Sequence, residues 1–228
     1  DTINMKYTDV SVVVGQVDAE SGEPLYDDEE MLLPATVTVS EGETPSRSAV
    51  IDVYAEGMAL ILEDDDALVN LDYVNVAVDV AAEATGGSPE ELSNVNVFVS
   101  GIYVELQDDS TFTIDDSDID VNIAIASDDA ANIQAAGLYV EHGGGQFGVE
   151  LLLEDTDIAV TASMSLLADS DAEGLASIED RLNGDLVGFK AQEEIWSELV
   201  HLDGVEIDVA LTQSFDGALA GQAYADVV

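Results

Sequence analysis

Strict alternation of apolar and polar residues runs through most of this 228-residue chain and constrains its fold more than any other feature. Clear cases are residues 74–80, 119–125 and 205–211, in which every second residue is Val, Ile or Leu. A period of two is typical of a β-strand with one buried face. Asp and Asn are poor strand formers, so their frequency at the other positions indicates a hydrated, acidic outer face. The pattern predicts an all-β protein.

Some of these strands repeat. Residues 96–105 align without a gap to residues 132–141, 36 positions later, and a fainter copy occupies residues 52–60. At Gly101 the apolar phase changes from odd to even positions, as a β-bulge or a tight bend would require. We interpret each unit as strand, bulge or bend, strand, turn, strand, which is an antiparallel meander of about 36 to 45 residues. A blade or solenoid array has such a period.

Three diverged copies of unequal length favour a mainly antiparallel sandwich or barrel over such an array. Residues 172–182 are compatible with a short helix, and the apolar residues of 186–200 lie roughly at helical spacing, so we predict a short helical insertion at about 170–202. The chain is then one β-rich domain, residues 1–228. Its parts are N-terminal strands and loops (1–50), repeated meander units (51–168), the helical insertion (169–202) and C-terminal strands (203–228).

The charge of the chain is extreme. Fifty acidic residues face four basic ones, Lys6, Arg47, Arg181 and Lys190, for a formal charge of -46. Repulsion of this size opposes a compact state unless it is screened, and the Debye length falls from about 8 Å in ordinary saline to about 3 Å at molar salt. Since 47% of the residues are hydrophobic, a folded protein of brine is expected and not a disordered one. In composition the chain resembles proteins of haloarchaea or of their viruses, which indicates a habitat and no family.

Several function classes are excluded. The chain has no cysteine, hence no disulfide, zinc–thiolate site or thiol nucleophile. Four scattered cations cannot form the basic patch that nucleic acid or an anionic membrane requires. No apolar run approaches the roughly 18 residues of a membrane-spanning helix. The serine-hydrolase elbow, the phosphate-binding loop, the dinucleotide fingerprint and the zinc-protease motif are absent, which leaves carboxylate pairs for glycoside hydrolysis as the open catalytic alternative. We predict that the protein is not an enzyme, and we expect structural roles for His142 and His201.

One segment resembles a calcium loop. Asp169, Asp171 and Glu173 occupy positions 1, 3 and 5, Gly174 occupies position 6, and Ser177 and Asp180 fall at positions 9 and 12. Position 12 is normally a bidentate Glu, which weakens the match. The acidic run 115–120 is a second place where Ca²⁺ or Mg²⁺ could gather. No cofactor is required by the sequence, and hydrated salt cations are the expected small partners.

The absence of a catalytic constellation favours a structural subunit. We predict a hypersaline protein that assembles with copies of itself into an extracellular filament, sheath, surface layer or virion coat. The chain opens at Asp1, which favours a processed, exported protein. Residues 3–14 form an alternating N-terminal stretch that either closes its own sheet or adds to a neighbour's edge. The alternative is a secreted or cell-surface monomeric module that binds a cation or a glycan.

Overall fold

The computed structural model describes residues 2–19, 21, 23–27, 31–38, 49–85, 93–128, 130–142, 148–167, 182–191, 197–215 and 224–227. Strands account for most of these residues, and no helix occurs among them. In chain order the strands are β1 (Thr2–Val14), β2 (Ala35–Thr38), β3 (Ala49–Ile61), β4 (Leu68–Thr85), β5 (Ser93–Leu106), β6 (Thr111–Asp115), β7 (Asp118–Ser127), β8 (Ala130–His142), β9 (Val149–Glu154), β10 (Asp157–Leu166), β11 (Leu182–Ala191), β12 (Ser197–Asp203), β13 (Glu206–Phe215) and β14 (Tyr224–Val227).

The chain visits two sheets in turn. β1 and β2 lie in a nine-stranded first sheet, β3 lies in a five-stranded second sheet, and β4 returns to the first. The second sheet continues with β5, β8, β11 and β14, and the first with the pairs β6–β7, β9–β10 and β12–β13. Each circuit therefore adds one strand layer to both sheets, and the described residues form five such coils, which stack into a parallel β-solenoid. One apolar cluster fills the space between the sheets.

The predicted antiparallel sandwich or barrel is wrong. All twelve strand pairs of the described residues are parallel. Parallel sheets are usually covered on both faces and then have continuous apolar strands, whereas alternation is typical of antiparallel sheets with one wet face. In this solenoid each parallel sheet has one dry face and one wet face, so the alternation does not reveal strand direction.

The sequence repeat has a structural explanation: equivalent residues of successive copies lie side by side on neighbouring strands of the second sheet. Asn96 pairs with Asn132 and Tyr103 with Tyr139 in the β5–β8 pair, which is the same offset of 36 positions. The fainter copy pairs in the same way, with Asp52 beside Asn96. The copies are therefore neighbours in one sheet, and the predicted meander within each unit is wrong.

The second sheet bends at one glycine from each of four strands: Gly57, Gly101, Gly137 and Gly188. A Cβ atom on Gly101 would lie 2.4 Å from Cγ2 of Ile119 and 2.6 Å from the carbonyl oxygen of Gly137. The two sheets thus approach too closely at the bend for any side chain.

The bend, and not a bulge, produces the change of apolar phase. Ser100 pairs with Ala136 before the bend and Ile102 with Leu138 after it, so the offset stays the same. No strand carries an extra residue relative to its neighbour at this bend, as a bulge would require. Of the two explanations that the sequence allowed at Gly101, the tight bend is correct.

The helical insertion is wrong wherever the structure describes it. Residues 182–191 form β11 and residues 197–203 form β12, while residues 168–181 and 192–196 lie outside the described ranges. Leu186 and Phe189 both pack on the core, although they are three positions apart, because the apolar phase changes between them at the bend. This spacing imitates one turn of a helix.

Amide side chains link the acidic outer faces of the coils. Asn96 Nδ2 donates to Asp52 Oδ1, and Asn132 Nδ2 donates to Asn96 Oδ1, both at 2.8 Å. On the first sheet Asn75 Nδ2 donates to Asp9 Oδ1 at 2.8 Å. Neighbouring strands lie about 4.8 Å apart, so an amide between acids replaces a carboxylate repulsion with a hydrogen bond. These hydrogen bonds explain why Asn and Asp occur so often in these strands, although both residues are poor strand formers.

Candidate functional site: the two ends of the solenoid

Both ends of the described solenoid are open. At the first end, β1 pairs with β4 and β3 pairs with β5, and their outer edges have no strand partner among the described residues. At the last end, β13 pairs with β10 and β14 with β11 in the same one-sided way. Such an edge presents backbone N–H and C=O groups that can pair with a further strand. The predicted N-terminal strand, β1, therefore completes its own sheet by pairing with β4, and its other edge stays without a strand partner among the described residues.

Inward-facing residues stack into core columns, by which we mean the side chains at one register position of successive coils. One core column runs from Met5 through Leu71, Ile114 and Leu153 to Leu202. Leu71, Ile114 and Leu153 are at most 1% exposed, whereas Leu202 is 49% exposed.

A second core column behaves in the same way. It runs from Val10 through Val76, Ile119 and Ile158 to Ile207. The two inner isoleucines are buried and Ile207 is 42% exposed. Ile3, Met5 and Val10 at the first end are only partly buried. The hydrophobic core is thus open at both ends of the described chain.

The first sheet turns a corner at residues with left-handed backbone. Tyr7, Tyr73, Asp116 and Asp155 have φ of 52°, 55°, 46° and 41°, and Gly204 has φ of 66°. These five residues occupy the same register position in successive coils and form the corner column. The Tyr7 and Tyr73 rings stack at 5.0 Å, and a hydrogen bond between the Tyr73 hydroxyl and Asp116 raises the pKa of Tyr73.

An acid column lies beside the corner column. Asp72, Asp115, Glu154 and Asp203 occupy one register position, and Lys6 occupies it in the first coil. The Lys6 ammonium forms an ion pair with Asp72, and the hydrogen bond to that carboxylate raises the pKa of Lys6. The opposite side of Lys6 faces the open end, and its side chain is 56% exposed.

Three carboxylates meet at the corner. Oxygens of Asp72, Asp115 and Asp116 lie within 4.8 Å of one another. Burial, and then the neighbouring charges of Asp116 and Asp72, raise the pKa of Asp115. Oxygen sets of this kind suit Ca²⁺ or Mg²⁺, although exposed acidic groups are common without an ion. The structure therefore brings together part of the predicted acidic run 115–120 with one residue from another coil.

The bend of the second sheet forms a groove on the outer surface, with a volume of about 620 Å³. Its aromatic rings contact one another along the solenoid axis, Tyr54 with Phe98 at 5.0 Å and Tyr103 with Tyr139 at 5.7 Å. The Lys190 ammonium lies 5.5 Å from the centre of the Tyr139 ring. The groove is amphipathic. Its aromatic rings contact one another and Lys190, so part of their apolar surface is covered by these contacts within the chain.

The other predicted site residues are placed differently. Asp169, Asp171, Glu173, Ser177 and Asp180 all lie in 168–181, outside the described residues. His201 is exposed within β12, and His142 is the last residue of β8.

The sequence contains a signal for the corner that the alternation of apolar residues does not reveal. Five tetrapeptides share one pattern. The first residue is charged, the second is the corner residue, the third is small or β-branched, and the fourth is acidic or an amide. The tetrapeptides are Lys-Tyr-Thr-Asp at 6–9, Asp-Tyr-Val-Asn at 72–75, Asp-Asp-Ser-Asp at 115–118, Glu-Asp-Thr-Asp at 154–157 and Asp-Gly-Val-Glu at 203–206. Aligning them yields the register of the first sheet.

Comparisons with known proteins add no relative. No protein-family model, no curated protein and no solved structure matches the chain. In the part of the chain that the structure describes, no helix has the length and hydropathy needed to cross a membrane.

Proposed function

We propose that this protein is a non-enzymatic structural subunit of a hypersaline environment, assembling end to end with copies of itself outside the cell. The product is a filament, sheath, surface layer or virion coat. The single observation that carries the proposal is the open core at both ends of the solenoid. Side chains that are fully buried in inner coils, such as Ile158, have counterparts in the last coil that are nearly half exposed, such as Ile207.

End-to-end contact satisfies both kinds of open group at once. It pairs the backbone edges of β1 and β3 with those of β12, β13 and β14, and it covers the ends of the core columns. In repeat proteins the terminal units usually carry a polar outer face that keeps them soluble, and the described terminal coils lack one. Because the two ends differ, the contact is heterologous and continues from copy to copy, which produces a filament.

The charge of the chain makes this assembly dependent on salt. Two copies of a chain with a formal charge of -46 repel each other strongly until the Debye length falls to a few ångströms. High salt also favours apolar burial. Below roughly 0.5 M salt we expect the protein to disassemble or unfold, because repulsion then acts over most of its surface.

Sedimentation velocity and electron microscopy in about 3 M NaCl, an ample screening level, test the proposal. We expect concentration-dependent filaments from the unmodified chain and none from Ile207→Asp, which places a charge at the end of a core column. Thr212→Asp is the matched control, because it adds the same charge to the outer face of the same strand. A chain that stays monomeric in brine at all protein concentrations contradicts the proposal.

The alternative binding module is supported by the groove on the second sheet. Its rim of Tyr54, Phe98, Tyr103 and Tyr139 offers apolar surface beside polar groups, which suits a glycan. A monomeric module requires no contact between ends, so monomeric behaviour in brine favours this alternative.

A further inference from the structure

We propose that a second copy of this chain stacks its first coil on the last coil in one register only, which places Lys6 beside Asp203 and Tyr7 over Gly204 of the next copy. This inference rests on the proposed function and adds the partner surface and its register. This register is supported by the acid column, the corner column and the core columns, all of which run along the solenoid and reach both of its ends.

The acid column provides charge complementarity. Its last member, Asp203, is exposed at one end, and its first member, Lys6, is the only cation at this position in the described coils. Adding a coil at the usual strand spacing of about 4.8 Å brings the ammonium between Asp72 of its own chain and Asp203 of the next copy. One lysine then interacts with two carboxylates, whereas an acid at position 6 would extend the repulsion.

The corner column fixes the position along the strand. Its five residues all have positive φ, so a further coil continues the corner only if Tyr7 lies over Gly204. A slip of one residue would also turn every core side chain outward. The Tyr7 side chain is 72% exposed, and a tyrosine beside an edge glycine covers backbone that the glycine leaves bare.

The core columns continue in the same register. Met5 meets Leu202 and Val10 meets Ile207, so partly buried apolar side chains of the first coil cover exposed ones of the last coil. The remaining positions of the first sheet follow: Ile3 meets Val200, Val12 meets Val209 and Val14 meets Leu211.

One pairing is unfavourable without salt. Asp9 meets Glu206 in this register, which extends a column that already contains Asp118 and Asp157. This contact between like charges makes the interface depend on screening, in agreement with a protein of brine.

Cysteine cross-linking tests the register, since the chain has no cysteine of its own. Ser11 and Asp208 end one outward column and are exposed. They lie four coils apart in one copy, about 19 Å, too far for a disulfide, but they become direct neighbours across the contact. We expect the double variant Ser11→Cys with Asp208→Cys, oxidised in brine, to yield a ladder of covalent multimers on a non-reducing gel.

The control variant combines Ser11→Cys with Ala210→Cys, which would be linked only after a slip of two residues. If the unmodified chain forms filaments but the first variant forms no ladder, or both variants form one equally, the register is wrong and the proposed function stands. If the unmodified chain forms no filaments, the proposed function fails and the inference fails with it.

A charge exchange gives a second readout at the lowest salt that preserves the fold. Lys6→Glu alone and Asp203→Lys alone should each raise the concentration needed for assembly roughly two- to fivefold. An equimolar mixture should restore assembly, because each contact then joins opposite charges in alternating copies. Failure of the mixture to assemble better than either variant alone overturns the Lys6–Asp203 contact.

Discussion

The inner coils and the last coil place the same kinds of residue in the same core columns, yet the inward side chains of the last coil are much less buried. Ile158 is 1% exposed and Ile207, the next member of its core column, is 42% exposed. Neither residue type nor backbone position explains the difference, since both are isoleucines on parallel strands. The difference arises because the described residues contain no further coil beyond β13 and β14. The last coil has the composition of an interior, which is the physical basis for a contact there.

The largest expected effect tests this comparison directly. Ile158→Ala should lower the free energy of unfolding by about 2 to 5 kcal/mol, as truncation of a fully buried side chain does. Ile207→Ala should cost less than about 1 kcal/mol in dilute monomer, because less apolar area leaves water. Urea unfolding in brine at low protein concentration measures both. Equal costs would mean that the last coil is covered after all.

Glycines sharpen the same comparison with a smaller effect. Gly137→Ala should cost about 1 to 3 kcal/mol, because its Cβ would lie 2.2 Å from Cγ2 of Ile158 and 2.8 Å from the Gly188 carbonyl oxygen. Gly204→Ala should cost about 1 kcal/mol, mainly for its positive φ, since its Cβ would meet the movable carboxylate of Asp155. A cost for Gly137→Ala no greater than that for Gly204→Ala would contradict the close approach of the sheets. Thermal unfolding followed by circular dichroism distinguishes the two.

The smallest expected effect concerns pH. Burial, reinforced by neighbouring carboxylates, raises the pKa of Asp115 and of Asp120. The folded state then binds more protons than the unfolded state between the ordinary and the raised pKa, so stability rises as the pH falls through the raised values and is lost as the pH rises. Melting temperatures in reduced salt should therefore increase as the pH is lowered from 7 toward the ordinary carboxylate pKa of about 4.

Asp120→Asn should reduce that increase by removing one of the two groups. Asp208→Asn is the matched control, because Asp208 ends the same outward column in the exposed last coil. A melting temperature that falls steadily on acidification would contradict the role of the crowded inner carboxylates.

The strands and their repeat could be predicted from the sequence, but the direction of pairing could not. The alternation of apolar and polar residues shows only that each strand has one buried and one solvent-exposed face. In this solenoid such strands belong to parallel sheets, whereas the pattern is more typical of antiparallel ones. Coil lengths differ because the connections differ, so the spacing of 36 positions between Asn96 and Asn132 does not hold for Asp52 and Asn96, which are 44 positions apart. Because the offset between successive coils is not constant, the sequence did not indicate a solenoid.

The helix error and the missed site have local physical causes. A bend at Gly188 places two core side chains, Leu186 and Phe189, three positions apart, as a helix would. The corner depends on backbone conformation, and Tyr7, Tyr73 and Asp116 share no side-chain chemistry that marks a left-handed residue. Their flanking residues do repeat, and an alignment centred on those tetrapeptides would have identified the corner column.

The acidic corner has a collective consequence for the ions around it. Acids of two parallel columns, Asp72 to Asp203 and Asp118 to Glu206, follow one another at about 4.8 Å. Unit charges in water interact with the thermal energy at about 7 Å, so the corner is a line charge dense enough to condense counterions, as DNA does. We therefore expect cations to gather along the corner as a mobile layer, without a chelating site. In a filament Lys6 interrupts the first column at each contact, whereas Asp9 lengthens the second column, so we expect each added copy to bind further cations along the second column.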